Sequence, residues 1–303
     1  MADYRKITEY CPAMADFLRY QDTIRLRGDV LAYAANIRNP SFSTDAHGFR
    51  HSVIGEQTLS VADCLHDERY GIVLGASNSF GFGVPGDENT MASLLGRRLG
   101  IPMANCAMPG ANSRNLHSLL ISLVASAARA PTIVVLSTGG DLGNFCDAST
   151  ADPVFGSPNR NQLVAEFKRG NLPPDPEPFW PHLLNFTSLW TTAIARVCER
   201  RGAKLVMVHQ ASFFEKSAPT PQEIDCGLGE PTTPHHERLF ANHRHFNPGF
   251  FAKRKALADH LGVPLAGWGE TDQLGFIDEF HLDTDSTRLL SAKVGDQIES
   301  LLR

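Results

Sequence analysis

The run Tyr70-Gly-Ile-Val-Leu-Gly-Ala-Ser-Asn-Ser-Phe-Gly-Phe-Gly-Val84 constrains the fold more than any other stretch of this chain. A short apolar segment stops at Gly75, offers a hydroxyl at Ser77, and then meets Gly81 and Gly83. A buried parallel strand ends in this way when it presents a side chain at its tip. Glycines there permit tight turns and a close backbone approach that a Cβ hinders. The apolar run at 72–74 is followed by others at 101–105, 132–136, 204–209 and 263–266, which read as strands. They alternate with helical stretches at 90–99, 113–128, 188–201, 250–261 and 286–302. Asn89 or Thr90 is available to cap the first of these helices, and Asn112 or Ser113 the second. Strands alternating with helices predict an α/β protein: a three-layer α/β/α sandwich around a five-stranded, mainly parallel, flavodoxin-like sheet. In such sheets chemistry gathers at the carboxyl ends of the strands, which is where Ser77 falls.

Residues 1–68 read as an N-terminal extension packed on the core, with a short helix at 14–20, and residues 69–303 as the main domain. Two excursions interrupt that domain. The first, at about 150–184, carries Pro173, Pro174, Pro176, Pro178 and Pro181 and is expected to be irregular, a lid over the site. The second, at about 212–248, is polar and rich in histidine. His235, His236, His243 and His245 follow no standard metal-site spacing, so a solvated loop is expected there and no metal or cofactor. The glycine run at 75–83 is neither a dinucleotide fingerprint nor a phosphate loop. A net charge of −5 gives no reason to expect nucleic acid or an anionic membrane as a partner. The six cysteines form no CxxC pair, which suits a reducing compartment without a disulfide framework. With no apolar leader and no run near the ~18 apolar residues that span a bilayer, the expectation is a cytoplasmic protein.

The second informative motif lies far downstream, Asp278-Glu-Phe-His281. An acid three residues before a histidine places both side chains on one side of a turn. Alone, Ser77 would be a turn residue and Asp278 with His281 a surface pair. Together they supply a nucleophile, a base and a group that orients the base.

With both motifs located, the chain resembles the SGNH hydrolases, also called GDSL esterases, from about Asp45 to the C-terminus. Their first block is matched by Gly75-Ala-Ser77-Asn-Ser-Phe-Gly81, with Ala76 in place of the usual aspartate. Their second is matched by Asn105-Cys-Ala-Met-Pro-Gly110, and their last by Asp278 and His281. The resemblance implies that Ser77 is the nucleophile and that the N–H groups of Ser77 and Gly110 serve an oxyanion hole. The third block departs from the family. The strand ends Leu136-Ser-Thr-Gly-Gly140-Asp141, so Gly140 stands where an asparagine would donate to the oxyanion. Losing one such donor costs roughly 2.7–4 kcal/mol of transition-state stabilisation. Two outcomes stay open: Asn144, Asn112 or a backbone N–H compensates, or the activity is low. Asp45-Ala-His-Gly48-Phe-Arg50 also looks like bacterial members of the superfamily, several of them tied to glycan acylation.

The expected function is that of a serine esterase acting on a small-acyl ester, with an O-acetyl carbohydrate as one substrate class. Asn78, Asn112, Asp141, Asn144 and His209 are the expected pocket residues, and Phe80, Phe82, Phe213 and Phe214 are candidate walls. Two alternatives share these residues: an O-acyltransferase using the same acyl-enzyme, and a binding protein weakened as a catalyst by Gly140.

Overall fold

The computed structural model describes residues 4–147 and 177–303. The chain opens with α1 (Tyr4–Tyr10) and α2 (Met14–Gln21), then two antiparallel hairpins, β1 (Arg25–Arg27) with β2 (Val30–Ala32) and β3 (Ser52–Ile54) with β4 (Gln57–Leu59), and α3 (Val61–His66). The central part follows: β5 (Gly71–Leu74), α4 (Ser77–Phe80), α5 (Met91–Leu99), β6 (Met103–Asn105), α6 (Ser113–Ser126), β7 (Ile133–Leu136) and α7 (Gly140–Asp147). It closes with α8 (Trp180–Arg201), β8 (Lys204–Val208), α9 (Pro221–Asp225), α10 (Pro234–Leu261), β9 (Leu265–Ala266) and α11 (Thr284–Leu302).

Five strands form one sheet in the order β6-β5-β7-β8-β9, and every pairing is parallel. Val73 lies beside Asn105 on one side and Val135 on the other, which fixes the register of the first three strands. Every residue of β5 and β7 is buried, as expected of strands covered on both faces. The chain steps from β5 outward to β6, then back past β5 to β7. Right-handed crossovers therefore put α5 and α6 on opposite faces. α11 packs beside α5 and α8 beside α6, completing the two outer layers. Thr90 and Asn112 are the observed caps of α5 and α6, each accepting from the N–H three residues on. The N-terminal elements join the same core: Ile7, Met14, Phe17, Tyr33 and Phe42 pack in one cluster with Ile72, Val73 and Phe80.

Two elements differ from the sequence expectation. α10 starts at Pro234, not near Phe250, and runs through Pro248. A proline inside a helix removes one hydrogen bond and crowds the preceding turn. Here Leu239, Phe240, Phe246, Phe250 and Phe251 line one face and form a second core with Leu142, Phe145, Cys146 and Leu183, which outweighs that cost. The histidine-rich stretch is thus largely helical rather than a loop. α8 likewise begins within the proline-rich excursion, with Pro181 in its first turn, where the missing N–H has no helical partner to lose. Residues 150–176 of that excursion lie outside the described residues. All six cysteines are free thiols, and among the described residues no helix is long and apolar enough to cross a membrane.

Candidate active site

Ser77 is the first residue of α4, three residues past the end of β5, and is half-buried. The strand turns into the helix through Gly75, where a Cβ would come within 2.6 Å of the Ser79 Cβ and closer still to its Oγ. Phe80 N–H donates to Ala76 O and Phe82 N–H to Ser77 O, both at 3.0 Å, and Gly81 closes the turn with φ +82°. That left-handed value favours glycine.

Asp278 and His281 form a tight pair. His281 Nδ1 lies 2.7 Å from Asp278 Oδ2 and 2.8 Å from Oδ1. Asp278 Oδ1 also accepts the N–H groups of Phe280 and His281, each at 2.9 Å. Burial alone would push the Asp278 carboxyl up, but His281 and these donors outweigh it and hold it below the usual carboxylate range. A carboxylate at Nδ1 assigns the ring proton there and leaves Nε2 as the basic nitrogen.

Asn78, the neighbour of Ser77, holds this loop in place. Its Nδ2 donates to Phe280 O at 2.7 Å, and its Oδ1 accepts from Leu282 N–H at 3.1 Å, so one amide brackets His281 across more than two hundred residues of sequence, with separations of 202 and 204. The Phe82 ring lies against the imidazole, centroids 4.6 Å apart. Among the described residues no hydrogen bond joins Ser77 Oγ to His281; catalytic hydrogen bonds are often long before substrate binds.

The second and third blocks meet the first at Gly140. A Cβ on Gly140 would fall 2.9 Å from the Ala76 Cβ and closer still to Ala111 O. A side chain therefore has no room at Gly140, which stands close beside Ala76. Asn144, one helical turn further along α7, donates from Nδ2 to Gly110 O at 3.2 Å. Gly110 itself has φ +77°.

The other expected pocket residues are taken up by the scaffold. Asn112 accepts from Asn115 N–H as the cap of α6. Asp141 is wholly buried, accepting from Ser113 N–H and Thr187 Oγ1 at 2.7 Å each, and burial raises its pKa. His209 is buried, with Nε2 2.7 Å from Glu215 Oε2 and its ring edge-on to Phe251. It lines a small internal cavity with Asn78, Ser79 and Ser137. His243 is buried against Phe214 and Phe280, and His245 is exposed beside Glu177. Glu215 and the bracketing role of Asn78 were not legible in the sequence, because their partners are set by tertiary packing.

No protein-family model and no curated protein matches this chain. Solved structures do match. Est24, a carbohydrate acetylesterase from Sinorhizobium meliloti, is 15% identical, covers 77% of this chain and 100% of its own, and superposes with a TM-score of 0.50. The chain has the SGNH-hydrolase fold. A second carbohydrate acetylesterase family member from Sinorhizobium meliloti is 12% identical over 77% of this chain and 99% of its own, with a TM-score of 0.48. A member of the lipolytic G-D-S-L family from Veillonella parvula is 12% identical over 78% and 99%, with a TM-score of 0.45.

Proposed function

We propose that this chain is a serine ester hydrolase in which Ser77 attacks, His281 carries the proton and Asp278 holds the imidazole. The observation that carries the reading is the Asn78 bracket. The residue beside Ser77 binds the main chain on both sides of His281, whose Nδ1 faces Asp278. A serine hydroxyl is a weak nucleophile and needs a base in reach. As Oγ bonds to the ester carbonyl carbon, its proton passes to Nε2 and the carbonyl electron pair collects on oxygen. The imidazolium then gives that proton to the departing alcohol, leaving an acyl-serine that water cleaves by the same steps. The N–H groups of Ser77 and Gly110 are the donors assigned to the developing oxyanion.

The substrate class proposed is a small-acyl ester, an O-acetyl carbohydrate in particular. It is supported by the fold shared with Est24, which is described as a carbohydrate acetylesterase. The closed wall at Gly140 favours a second reading, a binding protein that has lost a side-chain oxyanion donor. Turnover of 4-nitrophenyl acetate and of acetylated sugars by wild type and Ser77→Ala separates the two. Turnover that disappears in the variant supports the hydrolase. Equal rates in both reject Ser77 as nucleophile, and no turnover by folded wild type favours the binder. Adding a sugar acceptor and analysing products then distinguishes hydrolysis from acyl transfer.

A further inference from the structure

The segment Asp45-Ala-His-Gly48-Phe-Arg50 takes no part in the steps above, yet its geometry is tightly specified. Asp45 Oδ1 accepts the N–H groups of His47 and Phe49 at 2.8 and 3.0 Å, and Oδ2 accepts Val61 N–H at 3.2 Å. A carboxylate that caps its own following N–H groups makes a compact turn. Gly48 sits in it at φ +88°, where a Cβ would lie 2.9 Å from the Tyr33 carbonyl carbon. This turn delivers Arg50 into the interior, where it is only 1% exposed.

Every nitrogen of the guanidinium finds an acceptor. Nε donates to Asp87 Oδ1 at 2.8 Å, Nη1 to Gly81 O at 2.7 Å, and Nη2 to Val84 O at 2.9 Å and to Gly86 O and Ser41 O at 3.1 Å. The rings of Phe17, Phe42 and Phe80 surround it at 5.3–5.9 Å. A planar fork of five N–H donors satisfies acceptors spread in this way, whereas a lysine ammonium supplies its donors from one point.

Three of those carbonyls belong to the turn that follows α4. Phe82, inside that turn, donates its N–H to Ser77 O and lays its ring on His281. Gly83 meets Ile277, the neighbour of Asp278, closely enough that a Cβ would come 2.8 Å from Ile277 Cδ1. The turn is thus the seam between the Ser77 segment and the Asp278–His281 loop.

We infer that Arg50 is a positioning residue of the reaction centre: by gathering the carbonyls of Gly81, Val84 and Gly86 it sets, through Phe82 and Gly83, where His281 stands relative to Ser77. The inference rests on the esterase reading for its consequence in rate, but not for its consequence in geometry.

Arg50→Lys, Phe82→Leu and the double variant test it, each studied below its own unfolding temperature. The readouts are kcat and KM on 4-nitrophenyl acetate and the His281 titration midpoint by NMR, assigned with His281→Gln. Each single variant is expected to lower kcat roughly 10–100-fold with KM within about twofold, the range for a small misplacement of a reacting group. Each should also move the His281 midpoint, and the double variant should be no worse than the poorer single, because both act through one path. An Arg50→Lys protein that is merely less heat-stable, with kcat and midpoint unchanged, overturns the inference, as does a double variant whose loss is the product of the two. If Arg50→Lys does not fold, an unchanged midpoint and kcat in Phe82→Leu overturn it. The midpoint is read without turnover, so a chain that hydrolyses no ester still reports on Arg50.

Discussion

The two sides of Ser77 are built differently. On the base side, Asp278, Asn78 and Phe82 hold His281 and its flanking main chain through several short hydrogen bonds and a ring contact. On the side assigned to the oxyanion, Gly140 is closed off by Ala76 and Ala111, and Asn144 reaches the carbonyl of Gly110. Under the proposed reading, one half of the site is tightly preorganised while the other relies on main-chain donors. Proton transfer is then well supported and charge stabilisation is the thinner resource.

That contrast can be broken, starting with the largest effect. Ser77→Ala should abolish ester turnover, and Asp278→Asn should lower kcat about 10⁴-fold by presenting the wrong imidazole tautomer; both are read in steady-state kinetics. If Asp278→Asn keeps most of its kcat, the base side is not what organises the site.

Acid should weaken the wall behind the base. His243 is buried against Phe280, and burial holds its pKa down to about 4. Unfolded, the same imidazole takes a proton near 6.5. Between those values the unfolded chain binds the extra proton, so stability falls as pH drops from about 6.5 through 4, by roughly 3 kcal/mol in all. Thermal unfolding across that range should show the loss, and His243→Gln should flatten it. Asp278 acts in the same direction at lower pH: its depressed pKa lends stability above about pH 4 that is lost in stronger acid.

Smaller effects sharpen the oxyanion side. Gly140→Asn should not restore a donor; forcing a side chain against Ala111 O should cost about 1–3 kcal/mol, measured by denaturant unfolding. Asn144→Ala should lower kcat about tenfold with KM little changed, since it loosens the Gly110 peptide rather than removing an oxyanion donor outright. A Gly140→Asn protein that is both stable and faster would reverse the account of that wall.

What could be read in the chain beforehand was local. β-branched runs and polar caps marked the sheet and most of its helices, and the i, i+3 spacing of Asp278 and His281 marked their pairing. Long-range features were invisible. Pro248 signals a break, yet the aromatic face of α10 carries the helix through it. Asn112, Asp141 and His209 are polar groups near strand ends, which suits a pocket equally well, and only the packing shows each one bound to the scaffold. Gly140 reads as a lost asparagine until Ala76 and Ala111 are seen against it. Arg50 carried a resemblance without a reason, because all but one of its acceptors, Asp87, are main-chain carbonyls, which no side-chain pattern encodes.

The most direct test is mass spectrometry of the protein after reaction with a fluorophosphonate. The account predicts a single adduct on the peptide containing Ser77, formed far more slowly in His281→Gln. A folded wild type that acquires no adduct at Ser77, or one that labels equally fast without His281, would contradict it.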